Sequence, residues 1–330
     1  MRRRELSTFL GGLATASAAW PSLIGAPALG QALYPSKPIR MVVPFPPGGA
    51  ADVFGRITAE RLSEKIGQQI IVFNIGGASS VAGSETVRRA DPDGYTILFN
   101  VSLFVLGKYI VAACPYDPQT DFRPIAQAGE VPLMLLANLN VAGTDFASTL
   151  EALKKEPKRY FFALSSGGSA GHIATLEFLR RTGLPLDTVL YKGSAPAIAD
   201  LLSGSVQLLM DPWPPLLPLV KAGKTRGLFV TSRQRTQLAS DIPTTAEVGF
   251  KDFNVSTWQG LWAPRATPDA FVDRLASAMA EVSKDPDFIA KTALIGIVPT
   301  ARGPTEFAAF IKSEVETNTE LLKEAGYKSD

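Results

Sequence analysis

Ile39-Arg40-Met41-Val42-Val43-Pro44-Phe45-Pro46-Pro47-Gly48-Gly49-Ala50-Ala51-Asp52 begins as a strand, passes through a Pro/Gly loop and enters a helix. That helix is expected over Ala50–Ile66. It has a broad apolar sector of Val53, Phe54, Ile57, Leu62 and Ile66, and Gly67 stops it. The same unit of strand, small-residue loop and helix then recurs. Residues 69–73 read as a strand, 74–80 as a Gly/Ser loop and 81–89 as a helix. Asp91-Pro92-Asp93-Gly94 is a turn, and 95–99 is a third strand. Further strands are expected at 133–136, 160–164, 188–191, 207–210 and 226–230, with helices at 149–155, 171–182, 195–202 and 216–222. The tail adds helices at 269–284 and 305–325. Gly183, Gly204, Gly223 and Gly326 each follow a helix, as stop signals should. This alternation predicts an α/β fold of parallel sheets with helices on both faces.

The chain has 330 residues, 46% of them hydrophobic. A single core stops growing near roughly 250–300 residues, so two lobes are expected. Charged residues make up 19% and mean hydropathy is slightly positive, which excludes a disordered, collagenous or coiled-coil chain. Cys114 is the one cysteine and His172 the one histidine, so a disulfide framework, a Cys/His metal cage and a His-relay enzyme are all disfavoured. Without residues 1–32 the chain carries 30 basic and 30 acidic residues, and nothing marks a nucleic-acid binder.

Those first residues read as an export signal. Arg2-Arg3-Arg4 is the charged start, residues 6–29 are apolar and small, and small-residue cleavage sites follow at Ala26-Pro27-Ala28 and Gly30-Gln31-Ala32. Arg3-Arg4 followed by Glu5-Leu6 resembles a twin-arginine signal, with Leu6 where Phe is usual. Ser7, Thr8, Ser17, Trp20 and Pro21 interrupt the apolar run and count against a membrane span. The mature protein is expected in the periplasm.

In α/β sheets ligands sit at the carboxyl ends of strands, where helices begin. Three such loops are rich in Gly, Pro and Ser: 45–49, 75–80 and 165–171. Glycine lets a ligand approach the backbone, and a helix N-terminus offers free N–H groups with positive partial charge. Together the loops predict an anion site that needs no arginine. Asp52, in the first helical turn, complements the helix dipole, fixes the first loop or meets a donor on the ligand. Asp211 ends an apolar strand before Pro212-Trp213-Pro214-Pro215, which makes it a cleft candidate. His172 reads as a hydrogen-bonding residue that also lines the cleft. Trp213, Trp258 and Trp262 read as core or hinge packing.

Two motifs compete with this reading. Gly167-Gly168-Ser169-Ala170-Gly171 fits the G-x-S-x-G of a hydrolase nucleophile elbow, but no histidine follows His172, which lies three residues from Ser169. Ser169 reads better as a helix cap. Gly223-Lys224-Thr225 resembles the end of a P-loop, but Pro218 occupies the position of the required glycine.

The chain resembles the Bug-type solute receptors of the tripartite tricarboxylate transporter family over nearly its whole mature length. The resemblance runs through Tyr34-Pro35-Ser36-Lys37-Pro38-Ile39, Val42 to Gly49 with Asp52 and Arg56, Asn74 with Gly77-Ala78, and Asp91-Pro92-Asp93-Gly94-Tyr95-Thr96. It continues at Ser166-Gly167 with Ser169 and His172, Tyr191-Lys192-Gly193 with Pro196-Ala197, and Gly204. It closes at Pro243-Thr244 with Glu247 and Gly249, Trp258, Gly260-Leu261 and Ala263-Pro264. The second loop departs from the family: Asn-Arg-Pro-Gly-Ala-Gly-Gly is usual, and Asn74-Ile75-Gly76-Gly77-Ala78-Ser79-Ser80 stands here.

The resemblance implies a type II periplasmic binding protein, two α/β lobes joined by a two-strand hinge. The expected lobes are 33–126 plus 229–330, and 127–228. It implies a receptor that closes over a small carboxylate and delivers it to membrane permease subunits, without catalysis, cofactor, metal or nucleic acid, and as a monomer. Backbone amides and ordered water of the first and third loops would hold the carboxylate, which carries over to Phe45, Gly48, Gly49 and Ala50, and to Ser166, Gly168 and Ser169. Asp52, Ala78, Ser79, His172 and Asp211 complete the candidate set. The alternatives are an exported serine esterase using Ser169, and a receptor of the same fold that feeds a sensing partner.

Overall fold

The computed structural model describes residues 34–77 and 80–328; the expected export signal and the candidates Ala78 and Ser79 lie outside the described residues. The opening unit forms as read: β1 (Ile39–Val43), α1 (Ala50–Ile66), β2 (Ile70–Asn74), α2 (Val81–Arg88) and β3 (Thr96–Val101). A 3-10 turn at Ser102–Leu106 and the short α3 (Gly107–Ile110) follow. After β4 (Phe122–Ala137) come α4 (Phe146–Lys155), β5 (Phe161–Leu164), α5 (Ala170–Thr182), β6 (Asp187–Leu190), α6 (Ser194–Ser203), β7 (Leu208–Pro212), α7 (Leu217–Lys221) and β8 (Arg226–Val230). The chain ends with β9 (Ser256–Pro264), α8 (Asp269–Val282), α9 (Pro286–Leu294), β10 (Val298–Pro299) and α10 (Pro304–Glu324).

The strand order is β2-β1-β3-β9-β4-β7-β5-β6, with β8 and β10 also on β4. The parallel expectation holds at both ends, for β2-β1-β3 and for β7-β5-β6. It fails in the middle, where β9 runs antiparallel to β3 and β4, and β4 antiparallel to β7, β8 and β10. Most of β4 and all of β9 were not legible as strands. Pro124, Gly129 and Pro132 break the alternation along β4, and its register against β9 shifts twice, near Pro124 and near Gly129. β4 changes partners along its length. Phe122–Pro132 pairs with β9, whereas Leu133–Ala137 pairs with β7 and β8.

Two buried clusters match these two pairings. One joins Val42, Leu98, Phe104, Trp258, Trp262 and Phe307. The other joins Leu133, Phe162, Phe178, Met210 and Phe229. Trp258 packs edge-on to Phe307 at 5.5 Å and beside Trp262 at 6.1 Å, so both tryptophans are core residues. Ile173, in the first turn of α5, belongs to the first cluster with Leu106, Ile110 and Val315, which ties the start of α5 to elements beside the other half of the sheet. α10 runs along this seam. Phe307 fills the space that a side chain at Gly260 would need, Trp258 donates to Glu314, and beyond the helix Tyr327 meets Gly167 and His172.

Candidate functional site

The first loop is held by one carboxylate. Asp52 is 3% exposed, and its Oδ2 accepts the Gly48 N–H at 2.8 Å and Arg56 Nε at 3.1 Å. Its Oδ1 accepts Asn74 Nδ2 at 2.8 Å. Asn74 also donates to the Phe45 carbonyl and accepts from Arg56, so the ends of β1 and β2 are laced together. Burial alone would raise the Asp52 carboxyl, but Arg56, the Gly48 amide and Asn74 together hold it below the ordinary carboxylate range. Gly48 has φ +81°, a left-handed conformation that suits glycine. This chain bend brings its amide back onto Asp52.

Asp52 thus fixes the loop, and its oxygens are already engaged. The Gly48 amide is engaged with it. Gly49 caps α1 with no side-chain hydrogen bond, and Val53 makes the first backbone bond, back to the Gly49 carbonyl. Among the described residues the amides of Ala50, Ala51 and Asp52 therefore lack acceptors, as the first amides of a helix do. Phe45 is half-buried, while Gly48, Gly49 and Ala50 are exposed. The second loop lies against the first: a β-carbon at Gly76 would touch Pro46 at 3.7 Å. Ser80, at its end, is buried with φ +75°, a strained conformation for serine.

The third loop is organised by side chains. Ser169 caps α5: its Oγ accepts the His172 N–H at 3.2 Å and donates to the Ser166 carbonyl at 2.8 Å. His172 Nδ1 accepts the Gly168 N–H at 3.0 Å. An imidazole that accepts at Nδ1 carries its proton on Nε2, and burial pushes this one down to about 4. Ser165 Oγ donates to Asp211 Oδ1 at 2.8 Å, and the Gly193 amide donates to the Ser165 carbonyl at 2.6 Å. Asp211 is 2% exposed, and its Oδ2 has no partner among the described residues. Burial raises its carboxyl, against the opposing pull of the Ser194 and Ser165 hydroxyls.

Gly168 is a position for glycine alone. Its φ is +69°, and a β-carbon would lie 2.5 Å from Ile110 Cγ2. At Gly167 a β-carbon would lie 2.5 Å from the Tyr327 hydroxyl. Ile110 and Tyr327 are therefore walls of this loop that the sequence did not point to. A signal did exist at Gly326, the helix stop that turns the chain onto the loop.

The structure brings Phe45, Gly48, Gly49, Ala50 and Asp52 together with Arg56 and Asn74. Separately, it brings together Ser166, Gly168, Ser169, His172 and Asp211. Among the described residues no hydrogen bond joins the two groups. Neither group has the geometry of a hydrolase. Ser169 Oγ is spent on capping, and the one histidine uses Nδ1 on a backbone amide. No cluster of His, Cys, Asp or Glu able to hold a metal occurs among the described residues.

The model of the family described as the tripartite tricarboxylate transporter family receptor matches residues 54–327. The chain belongs to that family. BugT of Bordetella pertussis is 32% identical to this receptor over 297 residues, 89% of this chain and 91% of that one. Among solved structures, an R. palustris protein with adipate is 32% identical, with a TM-score of 0.75, over 90% of this chain and 100% of that one. MatC of Rhodopseudomonas palustris, with bound malate, is 26% identical, with a TM-score of 0.69, over 88% of this chain and 100% of that one. This receptor is a Bug-type solute-binding protein of α/β fold and not an enzyme. The family is one of periplasmic binding proteins, and no described helix is long and apolar enough to cross a membrane.

Proposed function

We propose that this receptor captures a small carboxylate between its first and third loops and hands it to the permease subunits of a tripartite tricarboxylate transporter. The observation that carries the reading is the start of α1, where Ala50, Ala51 and Asp52 offer amides without acceptors beside a loop locked by Asp52. Malate and adipate in two relatives of this fold support the ligand class. Ala170, half-exposed at the start of α5, supplies a further amide from the third loop.

The lobes expected at 33–126 plus 229–330, and at 127–228, belong to this reading. It is supported by the change of partners of β4 at Pro132/Leu133 and by the passage from β8, on that second half of β4, to β9, on its first. Closure of the lobes brings the two loops onto one ligand, and binding is thereby linked to closure. The receptor acts as a monomer and leaves the cytoplasm by the twin-arginine route.

The test is a thermal-shift and calorimetric screen of the ligand-stripped mature protein against mono-, di- and tricarboxylates, adipate and malate included. A ligand at about 100 times its Kd adds roughly 2.7 kcal/mol, which moves the Tm by about 5 °C for a chain of this size. A panel in which no carboxylate moves the transition overturns the reading.

A further inference from the structure

A cavity of about 670 Å³ lies where the two halves of the sheet meet; no residue of the loops lines it, and Ser256 and Glu314 of its wall also face a narrow cleft beside Gly168 and Ala170 of the third loop. Its wall includes both passages of the chain between them: Pro132 in β4, and the two ends of the segment from β8 to β9, Thr231 and Ser256. The volume is that of an ordinary small-molecule site. The wall is firm on one side, because Trp213 Nε1 donates to the Gly296 carbonyl at 2.9 Å and both residues are buried or packed there.

The cavity is lined by four ionisable side chains with spare hydrogen-bonding capacity, one of which, Glu314, burial pushes above the ordinary carboxylate range. The side chains of Arg233 and Glu130 have no hydrogen-bond or ion-pair partner among the described residues. Arg302 lies over the Phe310 ring at 4.2 Å and donates to Gln127 through one nitrogen. Glu314 accepts Trp258 Nε1 at 3.3 Å. Arg235, also on the wall, is already paired with Glu247 at 3.0 Å. A simple anion placed here would face Glu130 and Glu314. A simple cation would face Arg233 and Arg302. A molecule that carries both signs satisfies both pairs, and Trp213, Ile297 and Phe310 offer apolar surface to the rest of it.

We propose that this cavity is a second ligand site, for a small zwitterion with an apolar side chain, of the size of an amino acid or dipeptide. Occupancy of the cavity is independent of the carboxylate reading; its coupling to the loops rests on that reading. Because its wall contains both crossings, an occupied cavity resists any motion that changes their relative placement. A ligand there alters the affinity of the loops, and by reciprocity a ligand at the loops alters its own.

The probe is L-phenylalanine, titrated by calorimetry into the mature protein, with phenylacetate and phenethylamine as the anion-only and cation-only controls. L-Phenylalanine should bind at least tenfold tighter than either control. Arg233→Ala and Glu130→Gln, both on side chains without partners, should leave apo melting in place and weaken L-phenylalanine by about tenfold to a hundredfold, the loss expected for one charge-assisted contact. Ser169→Glu, in the third loop, should leave it unchanged. Absence of L-phenylalanine binding, or equal binding of the controls, overturns the proposal. So does binding that Ser169→Glu abolishes and Arg233→Ala spares, which would place the amino acid at the loops.

Discussion

The buried ring of His172 accepts the backbone N–H of Gly168 at 3.0 Å while it makes a T-shaped contact with the Tyr327 ring, 5.5 Å between ring centres. A proton on Nδ1 would set two donors against each other. The folded imidazole therefore resists protonation, and burial takes it from 6.5 down to about 4. The unfolded chain binds this proton below about pH 6.5 and the folded chain only near pH 4. The stability is present in full above pH 6.5 and is lost as the pH falls from about 6.5 to 4, by about 3 kcal/mol at most. Calorimetric melting of wild type and His172→Gln at pH 7.5 and 5 checks this: the wild type should lose more stability on acidification. Parallel losses would mean that the imidazole titrates freely.

Asp52 predicts a different pH signature. Its carboxyl is held below the ordinary value of 3.8, so it stabilises above that pH and its contribution fades as acid protonates the folded form. Asp52→Ala leaves the Gly48 amide, Asn74 and Arg56 without their acceptor. The expected cost is about 2 kcal/mol, less than for a fully buried pair because Arg56 is half exposed. Carboxylate affinity should drop about tenfold, since a loosened loop must be ordered on binding. A variant that melts lower but binds adipate as tightly as wild type would confine Asp52 to stability.

Ser169 separates charge from capping. Ser169→Glu places a carboxylate beside the proposed ligand; at roughly 4 Å and an effective dielectric near 20 the repulsion is about 4 kcal/mol, about a thousandfold in affinity. Ser169→Ala removes the acceptor of the His172 N–H and should cost about 1 kcal/mol of stability, with a small effect on binding. Equal affinities for wild type and Ser169→Glu, measured by calorimetry, would remove the third loop from the site.

The export route is tested with Arg3→Lys combined with Arg4→Lys. This keeps the charge of the leader and should leave precursor in the cytoplasm, whereas unchanged periplasmic yield rejects the twin-arginine route.

The βα units were legible because each carries its own periodicity and its own glycine stop: α1 was read at the residues where it forms, and β8 likewise. The central strands were not, because β4 and β9 are defined by each other. Pro124, Pro132 and the register shifts near Pro124 and Gly129 make sense only beside a partner strand. At the site, loop composition located the amides. Composition could not tell which amides are spent: Gly48 and Gly168 donate inside their own loops, to Asp52 and His172. That division depends on side-chain geometry four residues away along each helix start. Asn74, which joins β2 to the first loop, stood in the sequence only as part of a resemblance.

The placement of Tyr327 against Gly167 makes the order of the third loop a long-range property of the chain. Two residues 160 positions apart must meet before the loop has its wall, so the loop takes its final shape only when the segment beyond α10 has docked on it. A chain ended at Ala325 keeps α10 and lacks Tyr327; its carboxylate affinity, compared with the full chain by calorimetry, measures how much of the loop's order comes from that wall.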